Sequence, residues 1–178
     1  MHLNLVDDCA TIFPDIDQPE RYTSARVWRC RYASLSPLSR LRSLQELRIL
    51  AYPDSTLEPL AELRHLETLE ITHLPNVTSL APLAALTQLR RLTLATLPSW
   101  DASSRTTTVE SLSPLAKLPA LEEVSLFGVR PPDKRVDDLL GIRTLRRARV
   151  SKYPKAEADR LNAALASKRS HVKYTDAD

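Results

Sequence analysis

The residues best equipped to move a proton or hold a metal are four histidines, His2, His65, His73 and His171, and they are dispersed along the chain. No pair of them has metal-ligand spacing, so they read as solvated or packing side chains. Among the acids, Glu46, Glu70 and Glu123 could come within reach of one another across adjacent strands. Opposite charges sit beside them, however, and on neighbouring strands that pattern means surface pairing. No nucleophile has a positioned base, and no phosphate loop or dinucleotide fingerprint is present. Asn76-Val77-Thr78 fits a glycosylation sequon, which would carry no meaning if the chain is bacterial and cytosolic. The sequence therefore predicts no catalysis, no cofactor, no metal and no small-molecule substrate. What remains is binding chemistry, carried by arginines and a few aromatics.

Length and composition bound the kind of binding. At 178 residues with 43% hydrophobic content, one domain with a substantial core is expected. Two glycines against 13 prolines speak for rigid, regularly punctuated turns rather than linkers. Arginine exceeds lysine by 19 to 6, a composition suited to a GC-rich bacterial genome. No stretch approaches the ~20 apolar residues of a membrane span, and the acids in "MHLNLVDDCATIF" do not suit a signal peptide. A cytoplasmic location is expected. Cys9 and Cys30 make no disulfide framework and read as free thiols.

The net charge of +3 conceals a division. Residues 1–133 carry 13 Lys and Arg against 16 Asp and Glu, whereas residues 134–178 carry 12 against 6. Such an asymmetry steers a partner rather than the fold. The run "RTLRRARVSKYPK" (143–155) is basic enough to hold phosphates, which makes nucleic-acid binding the alternative to a protein partner. Aromatics are not interleaved with those basic residues, as stacking on single strands would require.

The elements that must position these residues repeat. Units open at Leu35, Leu57, Leu80, Leu112 and Val136 and continue at shared offsets: Leu38, Leu41, Leu44, Leu47 and Ile49 in the first, Leu60, Leu63, Leu66, Leu69 and Ile71 in the second. Apolar residues three apart stack along a tight helical turn, and the closing pair two apart shares one face of a short strand. Prolines 37, 59, 82 and 114 suit first helical positions, with Ser36 and Ser113 placed to cap just before them. Neither the helix nor the strand of one unit can bury its apolar face alone, so the units must stack.

This pattern over residues 35–150 resembles the leucine-rich repeat family, especially the 22-residue type seen in internalins. It departs at one point. Where the family places an asparagine that satisfies turn backbone, this chain has Tyr52, Leu74, Leu97, Val129 and Tyr153. These read as packed apolar turns, whose backbone must find other partners. The resemblance implies an α/β solenoid, a right-handed arc with a curved parallel sheet on its concave side and short α or 3₁₀ helices on its convex side. Strands are predicted near 3–5, 25–27, 47–49, 69–71, 92–94, 124–126, 148–150 and 172–174. Helical turns are predicted at 37–44, 59–66, 82–89, 114–121 and 137–145, with a longer helix near 155–167. The whole chain, 1–178, is read as one domain. Residues 1–34 form degenerate repeats that cap the N-terminus, with Cys30 in the asparagine slot and Phe13, Ile16 and Tyr22 on the helix side. Residues 151–178 form a helix-strand cap. An insertion at about 98–111 breaks the period, read first as an ordered connector whose Trp100 tucks against a neighbour and second as a ligand-contacting loop.

In such a sheet, residues flanking the strand leucines face the concave side. They form three columns, through Glu46, Arg91, Glu123 and Arg147; through Arg26, Arg48, Glu70 and Arg149; and through Trp28, Leu50 and Phe127. Aromatics beside arginines are the mix of protein interfaces. The predicted partner-binding residues are Arg26, Trp28, Arg48, Leu50, Glu70, Arg91, Trp100, Phe127, Arg147 and Arg149. The expected function is a non-catalytic protein-interaction module. An immunity or inhibitor protein facing a toxin or enzyme with an acidic surface patch is the leading role. A scaffold, an adaptor and an effector secreted without a cleaved signal are the other roles such a fold permits.

Overall fold

The structure, a computed structural model, describes residues 1–103 and 105–175, with backbone alone at 101 and 169–175. Strands β1 (His2–Val6), β2 (Ser24–Trp28), β3 (Glu46–Leu50), β4 (Thr68–Thr72), β5 (Arg91–Ala95), β7 (Glu123–Phe127) and β9 (Arg147–Ser151) form one parallel sheet in chain order. Two short strands from the turn side, β6 (Thr107–Thr108) and β8 (Val129–Arg130), pair with each other. The strand leucines fall at equivalent positions throughout, with Leu3, Ala25, Leu47, Leu69, Leu92, Val124 and Ala148 in one register line. The first seven predicted strands are all present, including the two in the degenerate N-terminal segment.

The helical side carries the expected short α and 3₁₀ pieces, each over a shorter span than predicted. The regular pieces are short: 3₁₀ turns at Ser36–Arg40, Ala81–Ala85 and Ser113–Lys117, and helices α1 (Glu58–Ala61) and α3 (Asp137–Leu140). None reaches the predicted ends. Instead each leucine's N–H donates to the carbonyl of the leucine three before it. Leu38 bonds Leu35 at 3.0 Å, Leu41 bonds Leu38 at 2.9 Å, and Leu44 bonds Leu41 at 3.1 Å. The same chain runs through Leu57, Leu60, Leu63 and Leu66. An i→i+3 bond keeps residues three apart eclipsed, so all four leucines point into one core. An α-helix would rotate them progressively away from it.

The caps also sit elsewhere than expected. The hydroxyl that receives the first free N–H belongs to the residue before the opening leucine: Ser34 to the Ser36 N–H at 3.0 Å, Thr56 to Glu58 at 3.2 Å, Ser79 to Ala81 at 3.4 Å and Ser111 to Ser113 at 2.9 Å. Ser36 and Ser113 are donors there rather than caps. The fifth unit has Arg135 in the hydroxyl's place. There Glu157, from helix α4 (Lys155–Thr175), accepts the N–H of the opening residue Val136 at 3.0 Å, as Asp54 does for the opening Leu35 at 2.8 Å. Leu161 and Leu165 of α4 close the end of the core, and Arg160 pairs with Asp137, holding that carboxyl below its usual range.

One prediction fails outright. Residues 172–174 continue α4 rather than forming a strand. No glycine or proline interrupts 155–175, so nothing ends the helix where the repeat count required it to end. The C-terminal cap is a helix alone as far as 175, and residues 176–178 of the predicted cap lie outside the described residues.

Six of the seven strands end in a left-handed residue: Asp7, Arg29, Ala51, His73, Gly128 and Lys152, with φ from 55° to 70°. Four of these, Arg29, Ala51, His73 and Lys152, are not asparagine, aspartate or glycine, the residues that enter this region most easily. Bonds between units hold them. The Ala51 N–H donates to the Thr72 carbonyl and the Tyr52 N–H to His73, both at 2.8 Å, so the ladder runs on past the strand. This continuation does the work of the missing asparagines. Leu74 and Val129 are buried as expected, while Leu97 is half-exposed because the insertion begins there. Tyr52 is not a purely apolar filler, since its buried hydroxyl donates to the Thr56 carbonyl at 2.8 Å. Burial raises that phenol's pKa.

Two stability tests follow from this packing. Leu69 is fully buried, so Leu69→Ala should lower the unfolding free energy by about 2–5 kcal/mol, whereas Glu70→Ala on the exposed face should change it by about 0.5 kcal/mol or less. Gly128 has φ +70°, and a Cβ there would lie 2.4 Å from the Thr96 hydroxyl. Gly128→Ala should therefore cost about 1–3 kcal/mol, and Thr96→Ala in the same chain should recover part but not all of it, as read by denaturant titration.

Candidate functional site

With one face of the sheet packed on the leucines, the other is covered by no element among the described residues. The register places its side chains in the three predicted columns and adds a front row from β1. His2 stands beside Ser24, Asn4 beside Arg26, and Val6 beside Trp28. Sequence reasoning had found β1 but had not carried its outward residues onto the face. The same 22-residue step that located Leu3 and Leu5 would have done so.

The N-terminal half of this face holds a depression of about 440 Å³ lined by His2, Ala25, Arg26, Trp28, Glu46, Arg48 and Glu70. Four of the predicted residues thus share one recess. The Arg26 guanidinium lies over the Trp28 ring at 4.5 Å from its centroid, which pulls it away from the carboxylates. Arg48 takes those instead, with its Nε 2.8 Å from Glu46 and 3.8 Å from Glu70. All three are well exposed, so this group adds ~0–1 kcal/mol per pair and sets the local charge pattern more than the stability. His2 Nδ1 is 2.8 Å from the Ser24 hydroxyl at the rim.

Towards the C-terminal half, Leu50 continues the third column beside Trp28, and Phe127 ends its apolar part with 37% of its surface exposed. Arg91 donates from Nε to the Thr68 hydroxyl at 3.2 Å. On β9, Arg147 pairs with Glu123 of the neighbouring strand, and Arg149 lies exposed two residues further along. Trp100 does not join these residues. It sits on helix α2 (Pro98–Ala102) at the turn edge, packed edge-on against His73 at 4.9 Å between centroids, with Arg105 over its ring at 5.9 Å. Trp100 thus packs the start of the insertion against the turn after β4, and Val109 near its far end is fully buried.

His2, His65 and His73 do not converge on a common site. Among the described residues no three His, Cys, Asp or Glu side chains come together in a way that would hold a metal ion, and the His171 side chain lies outside the described residues. Among the described residues, no helix is long and apolar enough to cross a membrane. The His73 ring is distinctive in another way. Its Nδ1 is buried without a partner, and burial depresses its pKa.

No protein-family model matches the chain, and no curated protein matches it by sequence. Solved structures do match. An internalin from Listeria monocytogenes is 23% identical with a TM-score of 0.57, over 73% of this chain and 35% of its own. A leucine-rich repeat protein from Leptospira interrogans is 18% identical with a TM-score of 0.62, over 90% of this chain and 40% of its own. The chain thus has the leucine-rich repeat fold and spans less than half the length of either protein.

The His73 contact gives a pH prediction. A histidine whose folded pKa is depressed stabilises the fold fully above its unfolded value, ~6.5, and that contribution is lost as pH falls below it. Trp100 and Trp28 are the two tryptophans, so a Trp28→Phe variant reports on the insertion alone. Its emission should change as the pH is lowered through and below that value, and His73→Asn, which keeps a residue tolerant of positive φ, should abolish the change. An unaltered profile would assign it to other groups.

Proposed function

We propose that this chain is a non-catalytic protein-interaction module that receives a protein partner on the open face of its sheet. The observation that carries this reading is the face itself. Seven strands bonded in continuous register present Trp28, Leu50 and Phe127 beside five arginines, on a surface that no element among the described residues covers. A ladder of this kind is ordered before any partner arrives, so binding carries little cost of ordering the site. Aromatic and arginine side chains are the residues that most often anchor such contacts. Within this class we favour an inhibitor or immunity protein, held in the cytoplasm and occupying the surface of a toxin or enzyme with an acidic patch. The excess of positive charge in residues 134–178 would orient such a patch toward the C-terminal end.

The test is capture of the partner from the native organism, followed by kinetics with the purified pair. Glu substituted at both Arg48 and Arg91 should slow association and weaken its salt dependence, and Phe127→Ala should speed dissociation, with a loss of about tenfold or more in affinity. Unchanged kinetics in both variants would move the interface to the insertion or the helical side. For the protective role, co-expression should rescue cells from the captured protein, and the Arg48/Arg91 variant should not. Exposed Arg143, Arg146 and Arg149 favour a second reading, nucleic-acid binding. That reading requires steeply salt-dependent retention on single-stranded RNA, lost when Arg146, Arg147 and Arg149 are neutralised.

A further inference from the structure

The third column of the open face is an apolar track laid at right angles to the strands. Val6, Trp28, Leu50, Thr72, Ala95 and Phe127 follow one another in strict register. Its ends are bulky and its middle, at Thr72 and Ala95, is small, which makes it a saddle. Adjacent strands lie ~4.8 Å apart, so Leu50 and Phe127, three strands apart, are separated by about 14 Å.

That spacing selects the shape of an occupant. An α-helix laid along the track presents a residue every turn, ~5.4 Å, and drifts from the strands by only about 2 Å over three steps. An extended segment presents same-face residues every ~6.7 Å, so three of its steps span about 20 Å, or four strands, and it cannot set one residue on each strand of the track as the helix does. The helix fits and the strand does not.

The charges beside the track select its flank. Arg48 and Arg147 are already matched by Glu46, Glu70 and Glu123. Arg26, stacked on Trp28, and Arg91, bonded to a hydroxyl, have no carboxylate partner among the described residues, and neither has Arg149. These three stand on β2, β5 and β9, on the same side of the apolar track. We infer that the open face seats an amphipathic α-helix of a protein partner across its strands, with apolar residues on the saddle and carboxylates turned toward Arg26, Arg91 and Arg149. This deepens the reading of the face as a protein-binding surface and rests on it. A nucleic acid fits less well, because three glutamates share the face and the track offers phosphates nothing.

Two synthetic helical peptides test the assignment, each of about 18 residues, or five turns, with the same Leu and Phe stripe and with flanks of either Glu or Lys. Anisotropy titration of the full chain should show the Glu-flanked peptide binding about tenfold or more tightly than the Lys-flanked one. Arg26→Ala, Arg91→Ala and Arg149→Ala combined should erase that preference, and Leu50→Ala with Phe127→Ala should weaken both peptides. Circular dichroism melts check that these open-face substitutions leave the fold in place. Equal binding of the two peptides, no binding of the Glu-flanked peptide, or tighter binding of a uridine oligonucleotide overturns the inference. The two levels separate with the native partner. If face variants abolish its capture while the segment protected on binding is not helical, the helix assignment alone falls. If face variants leave its capture unchanged, both fall.

Discussion

A strand of this protein has no core of its own. Leu69 and Ile71 are fully buried, yet the surfaces that bury them belong to the units on either side as much as to their own turn. Fixing a residue's backbone costs ~1–2 kcal/mol, and the few leucines of one unit cannot offset that for all its residues without neighbours. Stacking is the constraint from which the remaining architecture follows. It makes the sheet parallel, because every unit enters from the same side. It fixes the register, because each leucine must meet its equivalents. It also leaves one face without cover among the described residues, since the repeating leucines are all spent on the other.

The turn after each strand meets a second demand, to reverse the chain while donating to the next unit. A left-handed residue achieves both. Arg29, Ala51, His73 and Lys152 are held there at a conformational cost of roughly 1–2 kcal/mol each, which the bonds between units must outweigh. The insertion begins where this pattern lapses. Thr96 stays out of the left-handed region and instead closes against Gly128, the one position in the series where glycine is required.

Leucine spacing exposed the strands and their register in the sequence because burial acts on each such position alone. Even Ala25 and Leu3 could be located by stepping backwards. Spacing did not distinguish successive 3₁₀ turns from longer helices, since both give a period near three. Nor did it foresee the caps at Ser34 and Thr56, where the deciding contact is to backbone two residues on. Residues 172–174 misled because Val172 and Tyr174 match a strand pattern, while the uninterrupted helical composition before them governs. On the open face, identity was legible and pairing was not. Arg26 and Arg48 occupy equivalent positions, but only the geometry of Trp28 and the two glutamates makes one available and the other satisfied. Trp100 was legible as a packing residue, though not its partner His73.

The insertion also changes how the molecule comes apart. In a simple stack each unit touches only the next, and unfolding can run inward from an end one unit at a time. Here β6 pairs with β8 after the fourth regular unit, while the Glu110 N–H reaches back to the Thr78 carbonyl at 2.7 Å and the Thr107 hydroxyl to Leu74 at 3.5 Å. One excursion thereby ties the turn after β4 to the turn after β7, across the strand between them. The stretch from β4 to β7 becomes a single cooperative block, a foldon larger than a repeat. Its amides should open together and last, whereas β1 and β9 can fray without disturbing it.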